Sequence, residues 1–257
     1  MTVVTLTTDF GLTDPFAGIM KGVIARRSPG ATIIDITHGI PPQDVLAGAL
    51  VLEQALPYFP AGTVHVAVVD PGVGTERRPL CIELEDGFLV GPDNGLLSLA
   101  APRSAIRRIV HCTEEGFFLS ARSATFHGRD VFGPLAGALA SGTAVAALGT
   151  EVADMERLEL PAALREGAAI RGEVIYIDHF GNLVTNVREQ MLAGLRGVRI
   201  GIRGARLGVS PSYAAVASGA PVAVVNSWGL LEIAVRDGSA REWLGAEVGE
   251  PILVEPT

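Results

Sequence analysis

Two hydrophobic periods alternate along the first third of the chain. β-branched apolar runs at Val3–Thr7, Thr32–Ile36 and Val64–Val69 are short and bounded by turn residues, which predicts strands. Between them, apolar residues recur at helical spacing. A helix over Phe16 to Ala25 places Ile19, Val23 and Ile24 on one face. Asp44 is suited to cap the next helix, which carries Leu46, Ala49, Leu52 and Leu56 toward a core. This strand–helix–strand rhythm predicts an α/β fold with a mostly parallel sheet and helices on both faces. Ligands of such sheets bind beyond the carboxyl ends of the strands, where Asp9 and Asp70 stand.

After Asp70 the pattern changes. Leu80–Glu83 and Gly87–Gly91 read as a hairpin, Ile106–Val110 as a strand, and Phe132–Ser141 as a helix rich in Ala and Gly. A composition break at Glu151–Leu164 mixes charges with Pro161. Beyond it, strands are expected at Gly172–Tyr176, Leu183–Asn186, Val198–Ile202, Pro221–Asn226 and Leu231–Val235, with turn residues between them and little helix. That spacing predicts a smaller all-β, barrel-like domain. The expected division is an α/β domain over residues 1–160 and a β domain over residues 168–257.

Composition narrows the function. The 257 residues are 48% hydrophobic, enough for a substantial core and too many for a disordered chain. A net charge of −8 argues against nucleic acid as a partner and slightly favours a cationic small ligand. The N-terminus lacks the charged and apolar regions of a signal peptide, and no apolar stretch reaches the roughly 18 residues of a membrane span. A cytoplasmic protein without membrane attachment is therefore expected. Cys81 and Cys112 match neither a metal knuckle nor a redox motif, so both are expected as buried free thiols.

Four polar clusters interrupt the apolar pattern. Thr7-Thr8-Asp9-Phe10-Gly11 offers a carboxylate that can accept two hydrogen bonds from a vicinal diol, although a turn or cap aspartate fits as well. Asp70-Pro71-Gly72-Val73-Gly74-Thr75-Glu76-Arg77-Arg78 lacks the spacing of a phosphate loop. Instead, an Asp and an Arg seven positions apart can meet across it, with Arg78 competing for the place of Arg77. Phe126-His127-Gly128-Arg129-Asp130 presents a histidine able to serve as base or hydrogen-bonding relay; a lone histidine is more often structural. In Ile177-Asp178-His179-Phe180-Gly181-Asn182, Phe180 and Asn182 can stack on and read a purine edge, and Asp178 can hold an ammonium group. An ordinary turn at Gly181-Asn182 is the alternative. Further on, Asn226-Ser227-Trp228-Gly229 precedes Glu232, a carboxylate inside an apolar strand that needs a polar partner or a ligand. His-Glu-x-x-His, paired-Cys and Gly-x-Ser-x-Gly motifs are all missing, so chemistry without a metal, on a ligand already activated, fits best.

In their order, these clusters resemble the S-adenosyl-L-methionine hydroxide adenosyltransferase family, whose relatives include the fluorinases and chlorinases. The resemblance runs through Thr7–Gly18, Asp35–Asp44, Val69–Arg78, Gly91-Pro92-Asp93-Asn94-Gly95-Leu96-Leu97, Phe126–Asp130, Tyr176–Asn186 and Asn226–Ala234. It implies an N-terminal α/β domain, a C-terminal β domain and a homotrimer. The ligand would lie between the N-terminal domain of one subunit and the C-terminal domain of its neighbour. Asp9 resembles the ribose-binding aspartate and Asp178 the residue holding the methionine ammonium; Phe180 and Asn182 resemble the adenine platform and reader. Ser227 is similar to the residue near the methionine carboxylate. Asp70, Arg77 and His127 match the triad of the hydroxide-using branch, and the spacing from Asp70 favours Arg77 over Arg78. Trp228 stands where halogenating relatives carry an arginine, and Ser239 where many relatives show an asparagine.

The resemblance implies attack of water or hydroxide on the ribose C5′ of S-adenosyl-L-methionine, giving adenosine and L-methionine. S-adenosyl-L-methionine is then the substrate, and no separate cofactor is expected. The alternatives are a halogenase of the same fold and a non-catalytic sensor of adenosyl ligands. A carboxylate at Asp70 would repel a halide yet accept a proton from water.

Overall fold

The first β-branched run forms β1 (Val3–Thr8), which in the computed structural model of the chain lies between two parallel neighbours, β2 (Thr32–Thr37) and β3 (Thr63–Val68). The structure describes residues 2–195 and 197–257. The chain divides into two units, Met1–Leu158 and Glu159–Thr257.

In the first unit, β3 pairs in parallel with β5 (Gly87–Pro92), and β4 (Pro79–Leu84) forms the expected hairpin with β5. β6 (Ile106–Cys112) and β7 (Gly149–Val152) extend this side antiparallel, giving the order β2-β1-β3-β5-β4-β6-β7. The parallel half carries the sequence-predicted α/β architecture. Alternation sends Val4, Leu6, Val64, Val66 and Val68 to one face, where they pack with α1 (Phe16–Arg27) and α3 (Gly133–Ala140). The second helix, α2 (Val45–Ala55), serves the other face, and Asp44 caps it by accepting from Ala47 N–H at 2.9 Å.

One helical face differs from expectation. The core side of α1 is Ala17, Met20 and Ile24, while Ile19 is exposed. A stripe based on Ile19 and one based on Met20 fit the same period, and only packing against α3 selects the second. Leu12, Phe16 and Ile19 are left as exposed apolar side chains.

The second unit is antiparallel throughout its strand pairings. β8 (Leu164–Glu166) is a short partner of β9 (Ala169–Ile177). β9 continues to β10 (Leu183–Arg188) and, on its other side, to β15 (Pro251–Pro256). A four-residue helix, α4 (Glu189–Leu192), follows β10. The remaining strands are β11 (Val198–Ile202), β12 (Ala205–Gly208), β13 (Pro221–Val225) and β14 (Leu230–Val235). They complete the order β12-β11-β15-β9-β10-β14-β13. A bridge between Val209 and Ala223 brings the two ends together, so the sheet is a nearly closed barrel. Ile170, Val174, Leu183, Ile200, Ile233 and Val254 fill it. A short helix, α5 (Ala240–Leu244), starts from a Ser239 cap.

Cys81 and Cys112 are buried free thiols, as expected. Among the described residues no helix is long and apolar enough to cross a membrane.

Candidate active site

Asp70 follows β3 and opens a tight excursion that ends on Arg77. Val73 N–H donates to Asp70 C=O at 3.1 Å and Thr75 N–H to Gly72 C=O at 3.1 Å. Gly74 completes the turn at φ +80°, where a Cβ would come within 2.4 Å of the Ala124 carbonyl oxygen. The chain therefore folds back and aims the Arg77 guanidinium at Asp70. Nε donates to Oδ1 at 2.9 Å and Nη2 to Oδ2, a two-point pair with side chains only 9% and 5% exposed. Arg77 Nη2 also donates to His127 Nδ1 at 2.8 Å, and the guanidinium lies over the Phe132 ring at 5.1 Å.

His127 immediately precedes a single π-helical turn, Gly128–Phe132, that leads into α3. Burial lowers its pKa, the Arg77 charge lowers it further, and Asp70 partly opposes them. Arg129 and Asp130, its sequence neighbours, pair with each other at 2.6 Å, and Asp130 also accepts from Ser123 N–H at 2.7 Å. Arg78, the competitor for the place of Arg77, turns to Asp93 at 2.6 Å and Asp154 at 3.0 Å. The three residues brought together are Asp70, Arg77 and His127.

Asp9, after β1, shares a cavity of about 220 Å³ with Asp70 and His127; Phe10, Gln43 and Phe126 also line it. Gln43 N–H donates to Asp9 Oδ2 at 2.9 Å. The preceding Thr8 is anchored separately. Its hydroxyl bonds His38 Nδ1 at 2.8 Å, and His38 Nε2 lies 3.1 Å from Asp35, which accepts from Lys21. Behind the triad, a second cavity of about 450 Å³ shares Arg77 and His127 and is also lined by His111 and Arg122.

The second unit holds the other candidates. Asp178 Oδ1 accepts from Phe180 N–H and Asn182 N–H, each at 2.9 Å, and Oδ2 accepts from the Asn182 amide at 2.9 Å. The carboxylate thereby shapes the turn it sits on. That turn leaves the Phe180 side chain 72% exposed and holds Asn182 buried beside it. Ser227 is exposed in a turn built by Asn226, whose Oδ1 accepts from Trp228 N–H at 2.9 Å and Leu230 N–H at 3.2 Å. Trp228 packs on Tyr176 at 5.5 Å. Glu232, 3% exposed, has the polar partners its burial requires: Tyr213 OH at 2.6 Å and the Asn226 amide at 3.0 Å. Burial, followed by the bond and charge of Glu232, raises the Tyr213 pKa well above its ordinary value.

The family profile described as the SAM hydroxide adenosyltransferase N-terminal domain matches residues 4–149, and its C-terminal counterpart matches residues 172–253. The chain belongs to the SAM hydroxide adenosyltransferase family.

Within this family it is 44% identical to the (R)-S-adenosyl-L-methionine hydrolase of Thermus thermophilus over 95% of this chain and 96% of that protein. It is 42% identical to the protein of the same name from Salinispora tropica over 98% and 97%. Similarity to the fluorinase of an Actinoplanes species is lower, 26% over 90% of each chain. Among solved structures, a conserved protein of Thermotoga maritima matches with a TM-score of 0.90 at 33% identity, covering 99% of this chain and 100% of that one.

Three residues of these surroundings escape a reading of the sequence. Gln43 acts through its main chain, and only the preceding Pro41-Pro42 signals a constrained turn. His38 is one of several scattered histidines until folding sets it between Thr8 and Asp35. Tyr213 lies in an irregular segment far in sequence from Glu232. Among the described residues no group of three or more His, Cys, Asp or Glu could hold a metal ion.

Proposed function

We propose that this protein cleaves S-adenosyl-L-methionine by attack of water or hydroxide at the ribose C5′, giving adenosine and L-methionine. The observation that carries the reading is that Asp70 and His127, joined to each other through Arg77, line one small cavity with Asp9. The names of the relatives at 44% and 42% identity support it and specify the (R) epimer, which we assign to this chain as well.

In the reaction the water oxygen bonds to C5′, the C5′–S bond breaks with its electrons going to sulfur, and one proton is released. Methionine leaves as a neutral thioether, so departure requires neither a general acid nor a metal or other cofactor. The enzyme has to orient water and accept a proton; positioning of this kind is worth roughly 7–11 kcal/mol in good cases. A guanidinium can only donate, so the Arg77 bond occupies the Nδ1 lone pair of His127 and places the ring proton on Nε2. His127 then presents a donor that can hold the water oxygen. Asp70, which accepts from Arg77 at both oxygens and still has lone pairs, is the group left to take the proton. Asp9 is assigned to the ribose diol, Phe180 and Asn182 to adenine, Asp178 to the methionine ammonium, and Ser227 to its carboxylate. Glu232 is assigned to the ligand side of the second unit, together with Tyr213 and Asn226, which hold it in place.

The active assembly is proposed to be a homotrimer in which the Asp9–Asp70 region of one subunit faces the Phe180 turn of its neighbour. Exposed apolar side chains at Leu12, Phe16, Ile19 and Phe180 support association. Residues 1–160 and 168–257 are proposed as the two domains, and the buried free thiols suit the cytoplasm. A halogenase is the less favoured reading, because the Asp70 carboxylate would repel the halide.

Turnover in water enriched with heavy oxygen tests the proposal. Label in the adenosine 5′-hydroxyl is expected, and no 5′-halo-5′-deoxyadenosine is expected when chloride or fluoride is added. Tight binding without adenosine formation would instead identify a sensor. Near-normal single-turnover rates in Asp70→Ala, Arg77→Ala and His127→Ala alike would rule out the triad.

A further inference from the structure

Gln43 has an unusual backbone. It sits at φ +66°, in the left-handed region that side chains rarely adopt. Arg203 and Asp237, the other non-glycine residues with positive φ among those described, lie in turns, each followed by a glycine. Gln43 is also in a turn, the third residue of Pro41–Asp44, closed by Asp44 N–H donating to Pro41 C=O at 3.0 Å, but no glycine follows it. It follows Pro42 and precedes the Asp44 cap of α2, and its carbonyl accepts from Val45 N–H at 3.0 Å. What this conformation accomplishes is visible at Asp9: it turns the Gln43 N–H onto Oδ2 at 2.9 Å, a contact 34 positions away in sequence, in the cavity that also contains Asp70 and His127.

We infer that Gln43 is a positioning residue for the ribose site, acting through its left-handed backbone to fix the plane of the Asp9 carboxylate. The inference rests on the assignment of Asp9 to the ribose diol. An aspartate at a strand end has two torsions, and a vicinal diol needs both carboxylate oxygens in one orientation. The Gln43 N–H engages Oδ2 from the protein side before substrate arrives, so less freedom is lost on binding. Strain of this kind persists where the surroundings hold it and tends to collect at functional sites. Here the Asp44 cap on one side and Pro41-Pro42 on the other hold it in place.

The test compares Gln43→Gly, Gln43→Asn and Gln43→Val on the full-length protein with S-adenosyl-L-methionine and its 2′,3′-dideoxyribose analogue, which lacks both hydroxyls that Asp9 is assigned to hold. Glycine and asparagine accept a positive φ and keep the N–H, so KM for the normal substrate is expected to stay within about threefold. Valine resists that φ, and its KM for the normal substrate is expected to rise about tenfold with kcat little changed and KM for the dideoxy analogue unmoved. A Gln43→Gly variant with a strongly raised KM would overturn the inference by showing that the side chain does the work, and it does not depend on the valine variant folding. A valine variant that leaves both KM values unchanged, or raises both equally, would also overturn it. Asp9→Ala separates the two layers. It is expected to raise KM for the normal substrate alone; if it moves both or neither, the diol assignment falls and the inference with it. A selective Asp9→Ala beside an unaffected Gln43→Val would overturn the Gln43 inference alone.

Discussion

Arg77 donates to His127 Nδ1 at 2.8 Å, and this single bond sets the direction in which the imidazole can act. Protonating Nδ1 would place two cations in contact and remove the acceptor that Arg77 uses. The lowered His127 pKa agrees with that, since burial and the Arg77 charge both resist protonation and outweigh the pull of Asp70.

The first prediction concerns pH. A pKa lowered from 6.5 means that His127 stays neutral until the solution is more acidic than an ordinary histidine would tolerate. The acid limb of kcat/KM is expected to have its midpoint below 6.5, where His127 gains a proton and Arg77 loses its acceptor. His127→Asn, whose side-chain oxygen can still accept from Arg77 but which has no titrating ring, is expected to be slow and to lack that limb. A midpoint at or above 6.5 in the wild type would contradict the assigned tautomer.

The Asp70–Arg77 pair separates stability from chemistry. Both side chains are nearly buried, so Arg77→Ala strands a carboxylate and is expected to cost about 3–5 kcal/mol of stability as well as activity. The neutral double variant Asp70→Asn/Arg77→Gln leaves no stranded charge. It is expected to recover much of the melting temperature and none of the activity. Recovery of turnover in the double variant would show that the pair serves folding alone.

How far this site could be read from the sequence depends on distance along the chain. The offset between Asp70 and Arg77 is short, and Gly72 and Gly74 announce the turn that closes it, so the pair could be anticipated. The choice against Arg78 became clear only with Asp93 and Asp154 in place to hold that side chain. His127 approaches from 50 positions away, and the family resemblance rather than any local signal connected it. Glu232 was expected to need a partner, but Tyr213 could not be named, because nothing local marks a phenol in an irregular segment. The strands were visible where apolar alternation was strong. β7, β8, β12 and β15 were not: Thr150 and Glu151 give β7 no apolar stripe, β8 and β12 are only three and four residues long, β15 is a short apolar run between Pro251 and Pro256, and closure of the barrel through Val209 and Ala223 has no sequence period at all.

The turn beneath Phe180 depends on Gly181. Its φ is +81°, and a Cβ there would lie 2.2 Å from the Ser239 hydroxyl oxygen, while its carbonyl accepts from Arg241 N–H at 2.9 Å. Gly181→Ala is expected to displace this turn from the start of α5 and to weaken adenosine binding, read by calorimetry, at least tenfold. Ser239→Gly in the same chain removes the obstructing hydroxyl and is expected to restore part of the affinity but not all of it, since the strain at φ remains. Unaltered binding in Gly181→Ala would dissociate the turn from the adenine side.

His65 supplies the last prediction, far from any proposed chemistry. It is 4% exposed on β3, bonded through Nδ1 to Thr5 at 2.8 Å, and burial pushes its pKa from 6.5 down to about 4. The folded protein therefore binds this proton less readily than the unfolded chain. The stabilisation is complete above pH 6.5, is lost steadily as the pH falls toward 4, and changes no further below that. At about 1.36 kcal/mol per pH unit over roughly 2.5 units, the loss is about 3 kcal/mol. Urea unfolding at pH 7 and pH 4 can isolate it by comparison with His65→Gln, which does not titrate. The wild type is expected to lose about 3 kcal/mol more than the variant between these two pH values. Equal losses would mean that the buried imidazole is protonated without opening the sheet.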